Sequence, residues 1–109
     1  MEPLPGAKKF SHTGEGSTSA TATESTPTSQ RIYITDLVVS SDKAGAVLTV
    51  KQGGSSTPFS IQIPTGQGTP ASFTIHLQTP IIIDADKNAV AEVDGTADCR
   101  VNMTGYVAN

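Results

Sequence analysis

With 109 residues, a formal charge of −3 and only 16% charged side chains, the chain suffices for one domain, burying roughly two-thirds of its unfolded surface in a modest core. A weakly acidic balance gives no field for attracting DNA, RNA or an anionic membrane, so neither nucleic acid nor membrane is expected as a partner. The single cysteine, Cys99, excludes an internal disulfide framework, and its alternating surroundings make it a small core residue rather than a reactive thiol.

Residues 1–16 hold two prolines and three glycines with no apolar periodicity. They are expected to form an extended arm, with residues 17–109 as the folded domain. No secretory leader and no membrane-spanning apolar run is legible, so the protein is expected to be made in the cytosol and to stay soluble. Phe10, set between Lys8, Lys9 and His12, is a large apolar residue in need of burial, and a neighbouring subunit is the simplest place for it.

Residues 17–29 alternate Ala20 and Ala22 with Ser19, Thr21 and Thr23. As low-complexity sequence this segment could be disordered; its period of two and its threonines make a strand with small side chains, ended by Pro27, the preferred reading. The run RIYITDLVVS at residues 31–40 is the richest in β-branched and aromatic residues and is expected to be the central strand. Ile32 and Ile34 lie on one parity and Leu37 and Val39 on the other. Either both faces of the strand are covered, or a β-bulge near Thr35 and Asp36 brings both pairs to the core; the bulge is preferred, because it keeps Asp36 off the core.

Beyond Ser40 the alternation continues through Ala46, Leu48 and Val50, then Phe59, Ile61 and Ile63, with a hairpin turn at residues 52–56. After a break at residues 64–68, Ala71, Phe73, Ile75 and Leu77 oppose Ser72, Thr74, His76 and Gln78. The run Ile81, Ile82, Ile83 reads as covered on both faces. Residues 84–88 turn into Ala89, Ala91 and Val93, and Asp94 and Gly95 turn again into Cys99, Val101 and Met103. About eight short strands at this spacing, with no helical period, give an all-β, antiparallel two-sheet β-sandwich, jelly-roll-like, with an extended N-terminal arm. The expected core is Ile32, Ile34, Leu37, Val39, Leu48, Val50, Phe59, Ile61, Ile63, Phe73, Ile75, Leu77, Val93, Val101 and Met103.

Chemistry-bearing patterns are sparse. The pairs Gly14/Gly16 and Gly66/Gly68 lack the third glycine, the lysine and the helix of a phosphate cradle, and read as turn glycines. No nucleophile elbow surrounds a serine. His76 falls on the polar face of its strand, and His12 and His76 with one cysteine do not make a zinc site. Asp84, Asp86 and Asn88 alternate as at the start of a calcium loop, but the glycine and distal glutamate of that loop are missing, so a polar turn is the preferred reading. Asn102-Met103-Thr104 matches a glycosylation acceptor by chance. The protein is expected to have no catalytic residues and no cofactor.

In the segments KFSHT (residues 9–13), RIYITDLVVSSD (31–42) and CRVNMTGY (99–106), the chain resembles small β-proteins of tailed-bacteriophage virions, the head decoration or cement proteins and head-fibre proteins. The resemblance implies a jelly-roll sandwich, commonly a homotrimer, seated on the capsid surface of the virion and bound to major capsid protein. On this expectation the arm attaches, with Lys8 and Lys9 meeting acidic capsid groups, Phe10 filling an apolar slot and His12 beside it; the alternative for Phe10 is that it folds back onto its own sandwich. The alternative is a phage fibre or adhesin module that binds a host receptor or glycan, for which Tyr33, Tyr106 and the three phenylalanines are the available aromatics.

Overall fold

A computed structural model gives the fold over residues 7–53, 56–63 and 71–109. Eight strands follow in chain order: β1 (Lys8–Gly16), β2 (Ser19–Glu24), β3 (Arg31–Ser41), β4 (Val47–Gln52), β5 (Ser56–Gln62), β6 (Ala71–Ile82), β7 (Ala89–Asp94) and β8 (Cys99–Ala108). They form two antiparallel four-stranded sheets, ordered β1-β8-β3-β6 and β2-β7-β4-β5. Only β4 and β5 are consecutive partners; every other connection crosses between sheets, which is the jelly-roll winding. The turns expected at residues 54–55 and 64–68, and residues 1–6 of the expected arm, lie outside the described residues.

The bulge expected in the central strand is present. Against β8, Ile34 pairs with Gly105 and Asp36 with Thr104, so Thr35 is the extra residue. Ile32, Ile34, Leu37 and Val39 are therefore all buried, and Asp36 sits on the outer face. Against β6 the break is larger: Asp36 pairs with His76 but Ile34 with Ile81. Residues 77–80 thus bow out of the ladder, at a point where Pro80 has no N–H to give it.

The expected arm is corrected from Lys8 onward. Residues 8–16 run along β8 as the edge strand of the first sheet. Composition hid this strand because its inward positions are Phe10, His12, Gly14 and Gly16, of which only one is apolar and large. The two glycines are not turn residues: a Cβ on Gly14 would stand 1.9 Å from the Thr21 carbonyl oxygen, and one on Gly16 would stand 2.0 Å from that of Ser19. Only glycine lets β1 fold this closely onto β2.

Side-chain size then shapes the whole sandwich. The sheets are closest where β1 meets β2, lined by Gly14, Gly16, Ala20, Ala22 and Ala91, and part progressively toward the β6/β5 side. There Phe59, Phe73, Ile75 and Leu77 hold them apart. These four are only partly buried, and Ile61 is 43% exposed, so the core expected at β5 and β6 is half-open. The expectation of two covered faces at residues 81–83 is also corrected: Ile83 is fully buried, while Ile82 is 46% exposed on the outer face. Cys99 is buried as expected.

Candidate interaction surface

Strand register places four rows of side chains on the outer face of the β1-β8-β3-β6 sheet. They are Lys9, Tyr106, Tyr33 and Ile82; Ser11, Thr104, Asp36 and His76; Thr13, Asn102, Val38 and Thr74; and Glu15, Arg100, Ser40 and Ser72. The face is mixed in chemistry, and the outer face of the other sheet sets Ser19, Thr21, Thr23, Thr49 and Ser60 among Val47, Val90 and the Lys51–Glu92 and Lys43–Asp94 ion pairs.

In the first row the rings of Tyr33 and Tyr106 stack, with centroids 4.9 Å apart and planes 8° from parallel. Tyr33 donates its hydroxyl to the Asn109 carbonyl at 3.4 Å. In the second row His76 Nδ1 donates to Asp36 Oδ1 at 2.5 Å. Thr35 Oγ1 is shared between Asp36 Oδ2 and the Thr104 carbonyl. The hydrogen bond from His76 lowers the Asp36 pKa against the opposing effect of desolvation, and Thr35 lowers it further. Among the described residues no hydroxyl is bonded to the other ring nitrogen of His76, so this pair lacks the nucleophile of a catalytic triad.

The third and fourth rows enclose a cleft of about 210 Å³, lined by Thr13, Val38, Ser40, Ser72, Arg100 and Asn102. Asn102 Nδ2 donates to Thr13 Oγ1 (2.7 Å) and Ser11 Oγ (3.3 Å), and Arg100 Nε reaches Glu15 Oε2 at 3.3 Å. The cleft thus combines an apolar floor at Val38 with guanidinium, amide and hydroxyl groups. It suits recognition of a polar surface and offers no acid–base pair.

The residues expected to attach are placed in different settings. Lys8 and Lys9 are exposed at the start of β1, and Lys9 joins the tyrosine row. Phe10 packs against the protein's own core and stacks on His12 at 5.6 Å. His12 Nε2 donates to Glu24 Oε1 at 2.5 Å and ties β1 to β2. Sequence reasoning missed the surrounding face altogether, because its rows are assembled from four strands scattered through the chain.

The remaining oxygen-rich turn is structural. Asp84 Oδ2 accepts from Gln52 Nε2, Asp86 Oδ1 from the Ser29 N–H and Asn88 Oδ1 from the Gly53 N–H. These oxygens fasten the turn to two other segments. Among the described residues no group of three or more His, Cys, Asp or Glu side chains is arranged to hold a metal ion. Asp42 plays a similar role: its carboxylate accepts from the backbone N–H groups of Thr96, Ala97 and Asp98 and fixes the β7–β8 turn. Those bonds, the one from Thr96 foremost, outweigh desolvation and bring its pKa down to about 2. Under the turn, burial raises the Cys99 thiol pKa, helped by Asp42, Asp98 and Asp94, which keeps the thiol protonated and unreactive.

No family model matches the chain, and no curated protein matches it. Among solved structures it is similar to the CBM36-1 domain of a multidomain xylanase from the hindgut metagenome of Trinervitermes trinervoides, at 19% identity and a TM-score of 0.34, over 89% of this chain and 75% of that one. The strand order itself establishes the sandwich.

Proposed function

We propose that this protein is a non-catalytic structural domain of a tailed-bacteriophage virion, which decorates or cements the capsid as a homotrimer by binding major capsid protein. The observation that carries this reading is where the three segments of the resemblance lie. Residues 9–13, 31–42 and 99–106 fall on β1, β3 and β8, three adjacent strands of one sheet. Their outward side chains supply three of the four columns of the mixed face, including Lys9, Tyr33, Tyr106, Arg100 and Asn102. A surface that combines stacked aromatics, an arginine and few net charges matches the composition of protein–protein contacts.

In this reading the face of the sheet attaches, with Lys8 and Lys9 at its rim. Co-sedimentation with particles that lack the protein tests it. Wild type should pellet with them, and Arg100→Glu or Tyr33→Ala should not. Replacing Lys8 and Lys9 together should leave attachment weaker and less dependent on salt, because exposed charges are screened. Failure of wild type to pellet would overturn the reading.

One observation favours a second reading, a fibre or adhesin module for a host glycan: the 210 Å³ cleft holds saccharide-sized space beside amide and guanidinium donors. Against it, the tyrosine rings stack on each other and Tyr106 is buried, so the pair leaves at most the second face of the half-buried Tyr33 ring for sugar stacking. Glycan-array binding abolished by Asn102→Ala would decide for it.

A further inference from the structure

We infer that Asp94–Gly95, at the end of β7, is a latent site of backbone isomerisation, held shut by the native contacts of Lys43, Val47 and Thr18 and reactive once they open. The inference is independent of the proposed function.

Asp-Gly is the dipeptide most prone to this reaction, because glycine carries no Cβ to keep its nitrogen away from the preceding side chain. It occurs once in the chain, at residues 94–95, and Asn-Gly does not occur. In the first step the Gly95 nitrogen bonds to Cγ of the Asp94 carboxylic acid, and the acid hydroxyl leaves with the amide proton as water. The cyclic imide then takes up one water. Opening at Cγ restores aspartate. Opening at the main-chain carbonyl carbon leaves isoaspartate, with one extra carbon in the backbone. No reactant but water is involved, and none is consumed overall.

The fold requires both residues of this pair. A Cβ on Gly95 would stand 2.9 Å from Cys99 Cβ and 3.1 Å from the Ser17 carbonyl oxygen, so a side chain there would have to displace backbone above the buried thiol. Asp94 is a junction. Its Oδ2 accepts from Lys43 Nζ at 2.6 Å, its Oδ1 from the Val47 N–H at 2.8 Å and its carbonyl oxygen from Ser41 Oγ at 2.6 Å. One residue thus ties β7 to the end of β3, to the loop that follows and to the start of β4.

The same contacts disarm the pair. The attacking nitrogen is engaged, since the Gly95 N–H donates to the Thr18 carbonyl at 2.9 Å. Asp94 pairs with Ser19 in the β2–β7 ladder, which resists the backbone rotation that would carry the nitrogen over Cγ. Burial pushes the Asp94 carboxyl pKa up, but the hydrogen bonds from Lys43 and Val47 bring it below the ordinary value. An ionised carboxylate has no hydroxyl to lose as water. Solvent is already at hand, because the Asp94 side chain is 36% exposed. Protection therefore lies in the contacts themselves, and local opening of β2 from β7, or loss of Lys43, removes it. Isoaspartate displaces the groups that Lys43, Val47 and Ser41 hold, so a converted chain does not reclose as before.

Incubation of the full chain at neutral pH tests the assignment, with isoaspartate detected by isoaspartyl methyltransferase labelling and located by electron-transfer mass spectrometry. Folded wild type is expected to convert at least about tenfold more slowly than the same chain in guanidinium chloride, the ratio being set by local opening. Lys43→Ala should convert several-fold faster than wild type, with the label at residue 94. Lys51→Ala, which loses only the ion pair to Glu92, should match wild type. Circular dichroism verifies each fold, and if Lys43→Ala loses its β spectrum, Lys43→Met, which keeps the aliphatic stem, replaces it. Absence of isoaspartate at residue 94 in the denatured chain overturns the site. Equal rates in folded and denatured wild type overturn the protection, and a folded Lys43 variant no faster than wild type overturns the role of Lys43.

Discussion

Phe10 occupies the space that Gly105 leaves open. The two are register partners between β1 and β8, and a Cβ on Gly105 would stand 3.0 Å from Phe10 Cζ and 2.0 Å from the Tyr33 carbonyl oxygen. A large residue thus covers a bare stretch of the neighbouring strand, and β1 gains its one substantial apolar anchor.

Phe10→Ala is expected to destabilise the domain by about 2–3 kcal/mol, below the range for a fully buried ring because Phe10 is half-buried. Gly105→Ala should cost about as much, since the added carbon collides with backbone rather than with a movable side chain. Urea titration of both variants checks this. A change below about 0.5 kcal/mol for either would break the pairing argument.

Deleting residues 1–16 should lower the melting temperature by well over about 5 °C, because the deletion strips an edge strand from β8 and opens the contact with β2. An arm lying outside the fold would leave the melt unmoved. Differential scanning calorimetry of the truncated chain distinguishes the two.

Acid should weaken the fold between about pH 4 and pH 2. Asp42 titrates at about 2 in the folded protein, below the ordinary value near 3.9. Its contribution is therefore complete above the unfolded pKa and vanishes as pH falls through the folded one. Asp36 and Asp94 are also lowered, Asp94 because the Lys43 and Val47 hydrogen bonds overcome the upward push of burial, so they add to the same slope. Asp42→Asn should flatten the dependence of stability on pH in that window, measured by urea titration from pH 2 to 6. An unchanged slope would remove Asp42 from the account.

Ile83→Ala should cost about 2–5 kcal/mol, whereas Ile61→Ala should cost under about 1 kcal/mol of monomer stability. The first side chain is enclosed and the second stands at the open flank. Denaturation at a concentration low enough to keep the chain monomeric compares them. Equal losses would mean that the flank is packed.

Fold class was legible because alternation reports burial directly: Leu48/Val50, Val101/Met103 and Ile32/Ile34 each follow the period of a strand with one face in the core. Even the bulge could be read, since an extra residue between Ile34 and Leu37 is what lets both apolar pairs share one face. β1 was not legible. Its inward positions include two glycines and a histidine, which serve closeness to β2 and the bond to Glu24, and neither purpose leaves an apolar signature. The partial exposure of Phe59, Phe73, Ile75 and Leu77 was equally hidden, because their alternation is perfect and only the separation of the sheets leaves them uncovered.

The sequence by itself determined that this chain makes strands, where most of them start and stop, and which side of each seeks the core. All of that follows from local backbone preference and a two-residue period. Only the tertiary structure decided which strands are neighbours, and so gathered Lys9, Tyr106, Tyr33 and Arg100 onto one face and left β5 and β6 apart. Strand pairing joins residues up to about a hundred positions apart, as Lys8 with Val107. Such pairing is selected by the packing of the whole sandwich, to which no local pattern corresponds.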